Sequence, residues 1–130
     1  MKFLIIIAGM LLFLSSSVSL KAHDFCKTDP TFSKVLVDTS YLTAMEVTFM
    51  PGKKTNLHTH PAHWVYALDA GKLMVSYADG TSETFEVKAG DSMYGAPEKP
   101  HTTINMGTKP LRMLLVELKE HPYMAEKMKK

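Results

Sequence analysis

Cysteine is nearly absent from this sequence, and so is an excess of charge of either sign. The single cysteine, Cys26, has no partner in the chain, which excludes internal disulfides, and we expect it to lie in an N-terminal arm. The formal net charge is only +2. The sequence also has no basic patch interleaved with aromatic residues, a feature that many nucleic-acid-binding proteins have. We therefore expect no nucleic-acid partner.

Long hydrophobic runs are also missing, with one exception near the N-terminus. The run FLIIIAGMLLFL at residues 3–14 follows a basic start and precedes the small, polar SSSVSLKA. It is shorter than the roughly 20 apolar residues that a membrane-spanning helix needs. This layout is typical of a secretory signal peptide over residues 1–22, cleaved after Ser19 or Ala22; an uncleaved anchor is the alternative.

Export changes the charge that the mature protein carries. Residues 1–22 contain Lys2 and Lys21 but no acidic residue, so their removal lowers the formal net charge from +2 to 0. We expect a bacterial protein that is periplasmic or secreted and that has no contact with the membrane after cleavage.

The remaining chain consists of short runs of β-forming residues separated by turn sequences. These turns are PGKK at 51–54, DAGK at 69–72, DG at 79–80, KAGD at 88–91 and MGTKP at 106–110. Such regular spacing predicts an all-β sandwich or barrel. We assign residues 23–40 to the N-terminal arm and first strand, 41–119 to a single barrel domain and 120–130 to a C-terminal tail.

Histidines cluster in the middle of the chain. The stretch HTHPAHWVYALDAG contains His58, His60 and His63, and His101 follows farther on. Residues i and i+2 of a strand face the same way, so His58 and His60 would point two imidazoles into one space. This arrangement suits a divalent metal ion, although such a pair alone also occurs without a metal.

Two motifs around these histidines resemble those of the cupin family. The first, Gly-x5-His-x-His, is matched by Gly52, His58 and His60. The second, a glycine followed by Pro-x-Gly-x2-His-x3-Asn, is matched with small changes in spacing by Gly90, Pro97, His101 and Asn105. The resemblance covers roughly residues 42–118. It implies a double-stranded β-helix, or jelly-roll barrel, with a metal site at its mouth.

The glutamate that follows the two histidines in the first cupin motif is missing here. One register puts Trp64 in its place and leaves a site of His58, His60 and His101 with Trp64 as an apolar wall. The other register, based on YALDAGKL, adds His63 as a fourth ligand, and we favour it. We identify no carboxylate that replaces the glutamate. Trp64 and Tyr66 are expected to shape an apolar pocket.

Three functions are compatible with such a site. Imidazole ligands suit Fe, Mn, Zn, Ni or Cu and do not select among them. The resemblance implies first a dioxygenase-type oxidoreductase acting on a small oxygenated substrate. The alternatives are a non-catalytic periplasmic module that binds or senses a metal or small ligand, and a sugar-acid isomerase or decarboxylase. The last needs a cation for the substrate carboxylate, for which Lys99 is the candidate. The resemblance also implies a homodimer.

Overall fold

The structure is a computed structural model that describes residues 24–125. This range contains one short helix, α1 (Phe25–Thr28), and strands β1 (Ser33–Asp38), β2 (Leu42–Phe49), β3 (His58–His60), β4 (His63–Ala67), β5 (Gly71–Tyr77), β6 (Ser82–Val87), β7 (Ser92–Gly95), β8 (Glu98–Asn105) and β9 (Leu111–Leu118). The predicted signal peptide lies outside the described residues. Within them, no helix has the length and apolar character needed to cross a membrane.

The strands form two antiparallel sheets. One sheet has the order β1-β2-β9-β4-β7 and the other the order β3-β8-β5-β6. After β2, consecutive strands alternate between the sheets except for β5 and β6, which form a hairpin in the smaller sheet. This is the connectivity of a jelly roll rather than of two separate hairpin stacks. The predicted all-β jelly-roll fold is therefore confirmed.

The core lies between the sheets. Much of it is formed by every second residue of β2 and β9, the two longest strands of the larger sheet. Their inward-facing residues are opposite each other in the register of β2 and β9, with Met45 paired to Leu115 and Val47 to Met113. All four are buried, and burying each such side chain stabilises the fold by about 1.5–3 kcal/mol. The same inward series on β9 ends at Glu117, so alternation places a carboxylate inside the barrel.

Asn105 shows why the second motif ends in an asparagine. Its buried side-chain amide donates to the backbone carbonyls of Phe49 and Lys109, both at 2.8 Å, and its Oδ1 accepts from the N–H of Gly107 at 2.8 Å. These bonds tie the end of β8 to the end of β2 and to the following turn. Asn105 is thus a structural residue that holds β8, and with it His101, in place.

Candidate metal centre

Four histidines from three strands line one end of the cavity between the sheets. His58 and His60 lie on β3, His63 begins β4, and His101 lies on β8 opposite His58. All four are buried. Pro61 ends β3 and Ala62 leads the chain across to the larger sheet, so His63 approaches the cluster from the opposite wall. The interior therefore holds four imidazoles in a small volume.

Hydrogen bonds at Nδ1 determine which nitrogen of three of these imidazoles carries the proton. The Nδ1 atoms of His58, His63 and His101 each lie 2.8 Å from the backbone carbonyl oxygen two residues earlier, those of Asn56, Pro61 and Lys99. A carbonyl oxygen only accepts, so Nδ1 must donate. In the neutral ring Nε2 then carries a lone pair, and that is the atom a metal ion needs.

The fourth histidine is oriented by a carboxylate instead. His60 Nδ1 lies 2.6 Å from Oε1 of Glu117, the inward-facing acid at the end of β9. Histidine ligands of metal ions commonly donate their second ring N–H to a carboxylate in this way. Burial raises the pKa of Glu117 to about 7. The sequence analysis missed Glu117, although its parity with Leu115 in LRMLLVELK places it inside.

The Nε2 atoms converge. Those of His58 and His60 are 3.2 Å apart, and the ligand atoms of His58, His60 and His101 all lie within 4.8 Å of one another. Two ligand atoms on one transition-metal ion are separated by roughly 3–4 Å, since each metal–ligand bond is about 2.1 Å long. These three histidines can therefore hold a metal ion after small side-chain movements. His63 lies beside this group, with its ring centroid 4.9 Å from that of His60.

The segment around α1 closes the end of the cavity behind the histidines. The ring of Phe25 packs 4.6 Å from that of His58. Asp29 accepts hydrogen bonds from the backbone N–H and side-chain amide of Asn56, whose carbonyl in turn orients His58. This N-terminal segment precedes both motifs, and it packs against the cluster through the ring of Phe25.

Burial disfavours protonation of the histidines. Desolvation, followed by the neighbouring His101, lowers the pKa of His58 from 6.5 to about 4. Desolvation likewise holds the pKa of the more deeply buried His60 well below its usual value. His58 and His60 are therefore neutral over the physiological pH range, which is the state that binds metal.

A pH dependence of stability follows for the metal-free protein. Folded His58 stays neutral, whereas the unfolded chain takes up a proton on it below about pH 6.5. Its contribution to the free energy of unfolding is thus complete above that pH and is lost as the pH falls towards 4. We expect wild type to lose up to about 1.4 kcal/mol per pH unit relative to His58→Gln in this window. Thermal unfolding in chelator measures this. A difference between the free energies of unfolding of the two proteins that does not change with pH would contradict this prediction. Glu117 is present in both proteins, so the comparison isolates the titration of His58 from that of Glu117.

Trp64 and Tyr66 do not line the cavity. Strand alternation turns His63 and Val65 inward and sends Trp64 and Tyr66 to the outer face of the larger sheet, where their rings stack at 5.8 Å. Trp64 is 39% exposed. The prediction that these two residues shape the pocket is wrong, and so is Trp64 as an apolar wall. Parity counted from His58 and His60 fails because the chain changes sheets at Pro61–Ala62.

The cavity itself extends from the histidines between the two sheets. It has a volume of about 430 Å³ and mostly apolar walls, including Val65, Leu73, Val75, Phe85, Met93 and Leu115. Among the described residues that line it, Lys99 is the one lysine or arginine. Lys99 forms an ion pair with Asp79, and its Nζ lies 4.5 Å from the ring centroid of Tyr77.

Glu98 also faces the histidine cluster, and the sequence analysis overlooked it. Its Oε2 lies 3.7 Å from Nε2 of His101 and 3.9 Å from Nε2 of His63. Glu98 and His101 are three residues apart, so simple alternation would put them on opposite faces. A bulge restores the parity, because β3 advances two residues from His58 to His60 while β8 advances three from His101 to Glu98. Glu98 is thus a carboxylate at the histidine cluster that the motifs alone did not single out as a replacement for the missing glutamate.

The fold and the site together define a class of protein, the jelly-roll barrels with a cluster of metal-ligating histidines between their sheets. A family profile described as Cupin domain matches residues 45–117, more than half of the chain. The chain therefore belongs to the cupin family, and the resemblance carried by the two histidine motifs is confirmed.

The chain is also similar to individual proteins of known sequence or structure. The chain is 38% identical over 64 residues to Uncharacterized protein MJ1618 of Methanocaldococcus jannaschii, a match that covers 48% of this chain and 49% of that protein. The chain thus spans about half the length of this curated relative. It is also similar to the crystal structure of a Bordetella pertussis cupin domain, with 25% identity, a TM-score of 0.62 and coverage of 67% of this chain and 91% of the other. Similarity to the polyketide cyclase RemF of Streptomyces resistomycificus, at 23% identity, TM-score 0.54, and 70% and 66% coverage, shows the fold alone.

Proposed function

We propose that the protein binds one divalent transition-metal ion through Nε2 of His58, His60 and His101, with His63 as a fourth ligand. The observation that carries this proposal is the set of Nδ1 hydrogen bonds. Because Nδ1 of His58, His63 and His101 faces a backbone carbonyl, Nε2 of each of these rings is the atom left to offer a lone pair, and Glu117 orients His60 so that its Nε2 lies 3.2 Å from that of His58. Lone pairs gathered in a buried space repel, and a bound cation turns this repulsion into attraction.

We further propose that the ion holds a small oxygen-bearing molecule in the adjoining cavity. When bound, such an ion acts as a Lewis acid that polarises the oxygen atoms of its ligand. The donor set suits Fe, Mn, Zn, Ni or Cu. The apolar walls favour a compound whose carbon skeleton is hydrophobic and whose oxygen atoms lie at one end.

The charge in the cavity argues against a sugar-acid isomerase or decarboxylase. Such an enzyme needs a positive group for the substrate carboxylate, and the candidate, Lys99, is already paired with Asp79. Two acidic residues, Glu83 and Glu98, also line the cavity and would repel a carboxylate. A dioxygenase-type oxidation of a neutral or enolisable substrate is therefore our preferred activity, and ligand binding without turnover is the alternative.

Oxygen consumption tests this activity. Protein loaded separately with each of the five metals is mixed with a panel of β-diketones and catechols in an oxygen electrode. We expect uptake with at least one pair of metal and substrate, and no uptake with a His101→Ala variant. Binding of a panel compound without oxygen uptake under any metal would contradict the oxygenase and establish the binding module.

We also propose that the protein is exported and dimeric. Export rests on the signal-like residues 1–22, and an N-terminus of the mature protein still at Met1 would contradict it. The homodimer is supported by the outer face of the larger sheet, where the exposed aromatic residues Trp64 and Tyr94 are paired in the register of β4 and β7. Exposed apolar patches of this kind commonly mark interfaces. A monomer in sedimentation velocity would contradict the dimer.

A further inference from the structure

We propose that Glu98 is the acidic ligand of the metal centre, which it reaches from β8 rather than from the segment that follows His60. This inference rests on the proposed metal binding and adds an anionic oxygen to the histidine set. It assigns a ligand to a position that lies outside the glutamate slot of the first motif.

The distances around Oε2 support ligation. Two donor atoms bound to one transition-metal ion can be at most about 4.2 Å apart, twice a bond of about 2.1 Å. Oε2 of Glu98 satisfies this limit with Nε2 of both His101, at 3.7 Å, and His63, at 3.9 Å. Glu98 therefore lies between the ligand from the smaller sheet and the one from the larger sheet.

The distances argue against a direct hydrogen bond between Glu98 and these rings, because 3.7 and 3.9 Å are longer than a hydrogen bond. The Nδ1 protons of His63 and His101 are donated to the carbonyls of Pro61 and Lys99. Each ring thus presents Nε2, and not Nδ1, to Oε2 of Glu98. A cation bound beside Oε2 is attracted both to the carboxylate and to the Nε2 lone pairs of these rings, and a metal ion supplies that charge.

The other carboxylate oxygen is held in place. Oε1 of Glu98 accepts a hydrogen bond of 3.1 Å from the hydroxyl of Tyr77, and Tyr77 is opposite His101 in the register of β5 and β8. Lys99 covers the Tyr77 ring from outside. One oxygen is thus fixed by Tyr77, a positioning residue, and the other is directed at the histidines. Preorganisation of this kind is typical of metal ligands.

An anionic ligand changes what the centre prefers to bind. Four neutral imidazoles leave the full charge of a divalent ion uncompensated, whereas Glu98 lowers the formal charge of the centre by one. We infer a preference for neutral or singly charged oxygen ligands over dianions, because attraction for negative ligands weakens as the charge of the centre falls.

Cobalt(II) binding to purified protein tests this inference, since both affinity and the visible spectrum report on coordination. Glu98→Gln keeps the size of the side chain and an acceptor for Tyr77 but removes the anionic ligand. The matched control is Glu83→Gln, which removes an acid from the same cavity on β6. We expect Glu98→Gln to weaken cobalt binding at least about tenfold and to change the absorption spectrum, and Glu83→Gln to change neither.

Two results would overturn the role of Glu98. One is wild-type affinity and spectrum in Glu98→Gln. The other is equal weakening by both variants with an unchanged spectrum, which would indicate a general effect of charge. Failure of wild type to bind cobalt would instead overturn the proposed function, so the two failures are distinguishable. Circular dichroism of each variant verifies that the barrel is folded.

Discussion

Replacing His101 by alanine is expected to weaken the binding of divalent transition metals by at least about 100-fold. Loss of the hydrogen-bond partner of a ligand typically lowers metal affinity about 10–100-fold, and loss of the ligand itself costs more. His101 lies in the group of three histidines whose ligand atoms are within 4.8 Å of one another, and its Nδ1 is held by the carbonyl of Lys99. Competition with a chromophoric chelator measures the change.

Controls separate ligation from damage to the fold. His101 is buried, so alanine also leaves a cavity, and His101→Gln provides a variant of closer volume. His121→Ala removes an exposed histidine outside the cavity and should bind metal like wild type. Folded His101→Ala and His101→Gln proteins with wild-type affinity would contradict the site.

Substituting Gly95 by alanine is expected to displace His63 and to weaken metal binding about 10–100-fold, like the loss of an orienting contact. Gly95 on β7 is opposite His63 in register, and a Cβ added to Gly95 would lie 2.3 Å from Nε2 of His63. The glycine thus makes room for the imidazole. Because the clash is with the end of a side chain, we expect the ring to move rather than the barrel to unfold.

A double-mutant cycle tests this explanation. If Gly95→Ala acts by moving His63, its effect on metal affinity should match that of His63→Ala, and the double variant should be no weaker than either single one. Ser92→Ala on the same strand is the control for a change in β7 itself. Additive losses, or full affinity in Gly95→Ala, would contradict an effect of Gly95 through His63, and wild-type affinity in His63→Ala would exclude His63 as the fourth ligand.

Local sequence patterns predicted the elements of this fold better than the geometry of its site. Alternation and turn residues suffice for an all-β barrel, because they act within a few residues. The motif spacing singled out His58, His60 and His101. Neither pattern decided between His63 and Trp64, because that choice depends on how the chain crosses between sheets at Pro61.

The two carboxylates were missed for different physical reasons. Glu117 has the parity of the buried residues on β9, but its contact with His60 joins residues 57 positions apart, and pairing over such a distance is determined by the sheet register. Glu98 has the wrong parity relative to His101, and only the bulge between β3 and β8 brings them to one side. A bulge leaves no local signal as clear as alternation does.

The most direct test of metal binding is the metal content of the purified wild-type protein. The protein is prepared without chelators, incubated in turn with Fe, Mn, Zn, Ni and Cu, dialysed and analysed by inductively coupled plasma mass spectrometry. We predict about one ion per chain for at least one of these metals, and loss of that ion in a His58→Ala/His60→Ala variant, because both ligands of β3 are removed. Wild-type protein that retains none of the five metals, or a double variant that retains as much as wild type, would contradict the metal centre.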